Sequence, residues 1–344
     1  MRELAEEPDP SMESDAAAYE RKYLRGRYHQ SETIGWEVEL REYFLRMHSL
    51  FITVRIAPTN EDATSEARLH HIALWTSEFV GEALCHNGGR RVMIAPGKHT
   101  FAVAQHFSTY AHNVRVDWEP AAGAFSRRHC FSAQRTCEKL ATSGGIAGDW
   151  LSMPGFISTN VSLEGVGETR HAHSTQFRRL LHVGRAADTA ILGTGPAGPG
   201  NPFYDDQKRH LEPIKLVQGV DYPCVGDFNG HYVGIDAKGT PVWFDSRRKQ
   251  VDNRNPAAWE ANYRALGVPP YVYSGIAERF RESRLGAGVV LMARDKVLAP
   301  AVYCGLALGL VNTVILDYDC AKELRRLLYD PTEIWRFRDR KQSW

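Results

Sequence analysis

The chain has 344 residues, of which 43% are hydrophobic and 24% charged. That balance buries a large core and excludes a disordered or fibrous chain. Lys and Arg total 42 against 41 Asp and Glu, for a net charge of +1. The basic surplus of a free-standing nucleic-acid binder is absent, which counts against direct DNA contact.

Residues 1–18 are rich in Glu, Asp, Pro and Ser and are expected to form a mobile tail. The tail is drawn as residues 1–30, with one domain over residues 31–344. Residues 1–28 contain no apolar signal core, and no apolar run reaches the roughly 18 residues that span a bilayer. The cysteines Cys85, Cys130, Cys137, Cys224, Cys304 and Cys320 are scattered, with no Cys-x-x-Cys pair. A cytoplasmic protein without membrane contact is expected, so the sequon Asn160-Val161-Ser162 carries no meaning.

In chain order, Trp36, Val38, Leu40, Tyr43, Phe44 and Met47 fall at the spacing of an amphipathic helix over residues 36–48. Residues 51–56, dense in β-branched side chains, predict a strand. Helical spacing returns over 67–84, a strand over 91–95, a helix over 100–110 and a strand over 114–118. Residues 132–143 read as helix and 189–192 as a buried strand. Residues 193–204, rich in Gly and Pro, read as loop. Strands over 289–292 and 313–316 flank an apolar helix over 297–308. Such alternation predicts an α/β fold with a doubly wound, mostly parallel, Rossmann-like sheet and a small inserted subdomain. Ligands of such sheets sit beyond the carboxyl ends of the strands, which directs attention to four loops.

The first, Ala95-Pro96-Gly97-Lys98-His99-Thr100, joins a strand to a helix. Gly97 lets a ligand approach the backbone, the helix N-terminus favours an anion, and Lys98 and Thr100 add a charge and a hydroxyl. The plainer reading is a turn with Thr100 as helix cap. The second, Asp188 to Gly198, holds a G-x-G-x-x-G at Gly193, Gly195 and Gly198. Pro196, Pro199 and Pro202 forbid the helix that a dinucleotide fingerprint needs, so no NAD or other cofactor is expected. A glycine loop that shapes a sugar pocket remains. The third runs from Cys224 to Tyr232, ahead of Asp236-Ala237-Lys238-Gly239, with a hairpin turn in its second half. There Asp227 and Asn229 are turn residues, or Asp227 meets sugar hydroxyls. In the fourth, Lys296 opens an apolar helix, where its charge gains nothing from the helix dipole; the plainer reading is simple solvent exposure, and the other is a ligand phosphate as its partner. His70-His71 and His171-Ala172-His173 lack a third ligand at metal spacing, so no metal is expected. Arg127-Arg128 reads as a solvated pair.

Taken in this order, the four loops resemble the sugar-binding, effector domain of the SorC family of bacterial transcriptional regulators. Segment 40–56 is similar to that family's linker helix and first strand, and Gly97 to Thr100 to its Gly-containing phosphate turn. Met153 to Thr159, Asp188 to Gly195, Gly226-Asp227 with Gly230, Asp236 and Gly239, and Asp295-Lys296 through Asp317 follow its remaining motifs. The resemblance covers roughly residues 36–328. It implies a fold related to ribose-phosphate isomerase and glucosamine-phosphate deaminase. It also implies a small phosphorylated sugar or related metabolite as ligand, and a homodimer or homotetramer. By resemblance, Gly97, Lys98 and Thr100 hold phosphate, Asp227 meets hydroxyls and Lys296 pairs with the anion. His99, Gly193, Gly195 and Asn229 complete the candidate set. Two departures stand out. About 35 residues precede the linker helix, too few for the family's helix-turn-helix, so no reading of DNA is expected. Pro96 and His99 replace the family's Trp and Arg. The alternative function is an enzyme of isomerase or lyase type that moves a proton beside a carbonyl through Asp227, Lys296 and His99.

Overall fold

The aliphatic runs Thr189-Ala190-Ile191-Leu192 and Gly288 to Ala293 lie at the centre of a parallel sheet, where both faces are covered. The computed structural model describes residues 30–58, 63–110, 115–122, 131–142, 146–147, 178, 180–196, 224–236, 238–244, 250–251, 267–330 and 333–334. Residues 1–29 of the tail expected over 1–30, Arg127-Arg128, the motif Met153 to Thr159, Asn160 and the pair His171 and His173 lie outside these residues, and residue 30 already opens the first helix.

The parallel sheet is built from β1 (Thr53–Ile56), β2 (Arg91–Ile94), β3 (Asp117–Pro120), β4 (Ile146–Ala147), β5 (Thr189–Gly193), β11 (Gly288–Ala293) and β12 (Thr313–Leu316), in the order β1-β12-β11-β5-β2-β3-β4. A second sheet is antiparallel. Its strands are β6 (Gly195–Pro196), β7 (Cys224–Phe228), β8 (His231–Ile235), β9 (Pro241–Phe244) and β10 (Gln250–Val251), in reverse chain order. The helices are α1 (Gln30–His48), α2 (Ser65–Asn87), α3 (Lys98–Tyr110), α4 (Ala133–Ala141), α5 (Pro270–Ser283), α6 (Ala299–Ala307) and α7 (Tyr318–Tyr329).

The period-two alternation of each strand divides the core into two layers. Val290 and Met292 of β11, Ile191 of β5 and Val92 and Ile94 of β2 meet Leu69, Ile72 and Val80 of α2 and Val103 and Phe107 of α3. Their neighbours Leu291, Ala190, Leu192 and Met93 face the other way. There they join Trp36, Leu40 and Phe44 of α1, Ile276 of α5 and Leu324 and Leu327 of α7. The antiparallel sheet docks on this second layer through Phe228, Val233, Ile235 and Trp243. Gly305 of α6 makes room for Phe228, since a Cβ there would come within 2.7 Å of the ring.

Several expectations shift. The helix expected over 297–308 begins as a 3-10 turn, Lys296–Leu298, and becomes α-helical only at Ala299, because Pro300 fits the first turn but not an interior. The strand near residue 114 starts at Asp117. The loop expected from residue 193 contains β6, whose Gly195 and Pro196 pair with Asp227 and Gly226.

Candidate functional site

Strand order locates the cleft. From β2 the chain moves outward to β3 and β4, whereas from β5 it moves the opposite way to β11 and β12. The adjacent strands β2 and β5 therefore form the switch point, where loops diverge and leave a crevice.

Beyond β2, the Ala95 N–H still donates to Ile191 of β5 at 3.0 Å. Gly97 then turns at a φ of +138°, which favours glycine. Its carbonyl caps α3, accepting the Phe101 N–H at 3.1 Å and the Thr100 hydroxyl at 3.0 Å. Thr100 is the third helical residue, so it is not the cap that the plainer sequence reading expected. The Gly97 N–H donates to Phe131 at 2.9 Å and is unavailable to an anion. The open donors are the N–H groups of Lys98, His99 and Thr100, which head the helix and have no described partner.

Across the cleft, the His99 side chain packs on Gly193, where a Cβ would stand 3.6 Å from that of His99. His99 Nε2 is buried without a hydrogen-bond partner. Burial, then the nearby cations Arg294 and Lys98, push the imidazole pKa down to about 3, so it is neutral. Arg294 lies directly beyond β11. It donates through Nη1 to the Ser65 carbonyl and hydroxyl at the start of α2, and its Nε is 3.8 Å from Asp295. Lys98 is exposed, 6.0 Å from the centre of the Phe131 ring. Lys296 is exposed at the head of the 3-10 turn. Fixed amide donors, two lysines and one arginine thus stand at the ends of β2 and β11, with a neutral imidazole between them.

The hairpin residues are committed elsewhere. Asn229 and Gly230 both have positive φ, at 51° and 84°, and form the two-residue turn between β7 and β8 that such angles favour. An Asp227 carboxylate oxygen accepts the Gly230 N–H at 3.0 Å. Asn229 Nδ2 donates to the Ala121 carbonyl at 2.8 Å and the Tyr273 hydroxyl at 2.9 Å, tying the hairpin to β3 and α5. Both residues serve as turn residues. Gly195 pairs with Asp227 in the ladder, and the Thr194 hydroxyl donates to the Asp227 carbonyl at 2.9 Å. The structure therefore brings Gly97, Lys98, His99, Thr100 and Gly193 together at the switch point, and Asp227 and Asn229 into the hairpin beside it.

Sequence reasoning missed Arg294 and Asp317. Both directly follow a buried strand, the position the carboxyl-end rule singles out. No group of three or more His, Cys, Asp or Glu residues able to hold a metal occurs among the described residues.

Residues 32–251 match a family model described as "Putative sugar-binding domain". Among solved structures, a DeoR family transcriptional regulator from Listeria monocytogenes is similar at 15% identity, with a TM-score of 0.58 over 84% of this chain and 99% of that one. A transcriptional repressor structure from Vibrio fischeri, titled as a sugar-binding domain, reaches 19% identity and a TM-score of 0.59 over 86% and 100%. The full-length sorbitol operon regulator SorC from Klebsiella pneumoniae reaches 13% and 0.56 over 84% and 81%. These likenesses show the fold. A search of curated proteins finds no significant match.

Proposed function

The chain belongs to the sugar-binding domain family, and from that premise we propose that it holds a small phosphorylated sugar or related metabolite at the switch point between β2 and β5. The observation that carries the reading is the convergence of Arg294 and the open N–H groups of Lys98, His99 and Thr100 around His99. An anion in that place meets fixed amide dipoles and the positive charge of Arg294, whose Ser65 contacts hold it beyond β11. The neutral His99 nitrogen offers a hydrogen bond to a hydroxyl or carbonyl of the same ligand. Lys98 and Lys296, exposed at the rim, supply long-range attraction and a second charge.

The enzymatic alternative needs Asp227 as a proton carrier, and the bond from Gly230 to its carboxylate favours a structural task. The binder is therefore the reading adopted. No helix among the described residues is long and apolar enough to cross a membrane. Cys85, Cys137, Cys304 and Cys320 carry free thiols, which supports a reducing, cytoplasmic setting. A homodimer or homotetramer is supported by the apolar outer face of α1, where Ile34 and Met47 are 59% and 64% exposed.

The test is thermal unfolding against a panel of sugar phosphates and their unphosphorylated parents. A phosphorylated compound is expected to raise the melting temperature, and Lys296→Ala and Arg294→Ala to abolish the rise. No shift with any phosphorylated member overturns the phosphate reading. An equal shift with the unphosphorylated parents replaces it with a neutral-sugar site.

A further inference from the structure

Asp317 directly follows β12 and is fully buried. One of its oxygens accepts the Cys320 N–H at 2.8 Å, which caps α7. A cap needs no more than that. Yet both oxygens also accept the N–H of Asp295, each at 3.1 Å. Arg68, reaching over from α2, closes the arrangement. Its Nη1 is 3.5 Å from Asp317 Oδ2 and 2.5 Å from Asp319, and its Nη2 is 3.1 Å from Asp295. Asp295 is thereby held at both its backbone and its side chain.

Asp295 needs holding. Its φ is +67° with ψ 139°, a left-handed φ that costs free energy at any residue other than glycine. It lies between Arg294 and Lys296, so its conformation determines how the chain presents both cations. Relaxation of Asp295 into the ordinary β or α region would redirect Arg294 away from His99.

We propose that Asp317 is a positioning residue of the anion site: with Arg68 it locks Asp295 in the left-handed turn, and so fixes where Arg294 and Lys296 stand. This rests on the reading of the β2–β5 cleft as an anion site. The charged or titratable groups facing Asp317 are Arg68 from α2, Asp295 from the loop after β11 and Cys320 from α7, with Asp319 and Glu323 acting on Cys320 beside it. Burial raises the Asp317 carboxyl to about 6, against the opposing pull of its two N–H bonds and Arg68. At neutral pH it is therefore ionised and able to grip all three donors.

Asp317→Asn separates the two tasks. Asparagine keeps an oxygen for the Cys320 N–H and caps helices as well as aspartate does. Its NH2 group, however, takes the place of Oδ2 and meets Arg68 and one of the two Asp295 N–H contacts, donor against donor, so that the Asp295 N–H keeps only the oxygen it shares with Cys320. Two measurements apply: NMR titration of the His99 imidazole in the ligand-free protein, and calorimetric affinity for sulfate, an anion that does not titrate near neutral pH. In the wild type, burial foremost, and then the cations Arg294 and Lys98, hold the imidazole neutral, so displacement of Arg294 removes one of the three causes. In Asp317→Asn the His99 pKa is expected to rise by about one unit, and sulfate affinity to fall about tenfold. Arg68→Met, which leaves the α7 cap intact, is expected to move both in the same direction and serves if the asparagine variant does not fold. An unchanged His99 titration in the folded variants overturns the proposal. Failure of sulfate to bind the wild type overturns the anion site instead, and the His99 titration still judges Asp317.

Discussion

A methyl group at Gly226 would sit 2.4 Å from the Cβ of Ala301 and 2.9 Å from the Gly195 carbonyl. At this residue the antiparallel sheet leans on α6, and no side chain fits. Gly226→Ala is expected to destabilise the fold by about 1–3 kcal/mol through overpacking. Ala301→Gly should restore part of that loss, less the roughly 1 kcal/mol that glycine costs in a helix interior. Denaturant unfolding of the two single variants and the double variant measures the coupling, and strict additivity would rule out the contact. Single residues differ in how far their sequence context betrays them. Gly97 to Thr100 and Lys296 were legible because they follow aliphatic runs at strand ends. Asn229-Gly230 was legible as a turn from its residue types. Arg294 was not, because its relevance comes from His99, nearly two hundred positions away in the chain.

The element with the most distinct faces is α1. Its inner face, Trp36, Leu40 and Phe44, is buried against α7 and the sheet. Two acids secure its flanks. Glu37 accepts the outward N–H of Ile56 at 2.9 Å, occupying a donor on the open edge of β1, a common way to blunt an edge strand. Glu39 holds Arg325 at 2.5 Å and accepts the Tyr329 hydroxyl on α7. What remains outward is Ile34, Val38, Leu45 and Met47, with Phe51 following at 65% exposure. Separations of four and seven residues keep Ile34, Val38 and Leu45 on one seam. A second copy of the chain is the expected cover. Val38→Glu with Leu45→Glu should leave the inner face intact and convert the oligomer to a monomer in size-exclusion chromatography with light scattering. A wild-type monomer at micromolar concentration would remove the dimer and tetramer reading altogether. The inner stripe of α1 was legible from helical periodicity. The outer stripe was not separable from it until burial distinguished Leu40 from Val38.

For the whole molecule, acid sensitivity follows from histidines enclosed as neutral groups. Burial pushes His99 and His231 down to about 3, and burial with the neighbouring His70 and His71 pushes His106 to about 4. The unfolded chain binds these protons near pH 6.5 and the folded chain does not. Each of the three therefore withdraws stability as pH falls from 6.5 toward its folded value. Asp317 acts with the opposite sign. Its raised pKa of about 6 means that the folded state takes up a proton first, adding stability as pH falls through the window from 6 to 3.8. His48 and His71, also pushed down by burial, add to the three in the same direction, so the histidines outweigh the one carboxyl and protons are bound on unfolding near pH 5. The melting temperature should accordingly drop steadily between pH 6.5 and 5. A flat profile across that range would show that these histidines reach water in the native state.

From its sequence alone the chain determined the α/β class, the parallel sheet and most of its strands, because buried parallel strands are continuous aliphatic runs and their helices repeat at 3.6 residues. It also determined which loops deserved scrutiny, since the carboxyl-end rule depends only on element order. The second sheet emerged only in part: one hairpin was visible, whereas short strands such as Gly195-Pro196 have no pattern of their own and exist by pairing. The tertiary structure alone decided which strands are neighbours. That brought β2 beside β5, set the charge of Arg294 near His99, and placed Asp227 and Asn229 in the hairpin beside the cleft. The network of Arg68, Asp295 and the buried Asp317 joins three separate segments. Periodicity reports on neighbours within one element, and contacts between distant elements leave no trace in it.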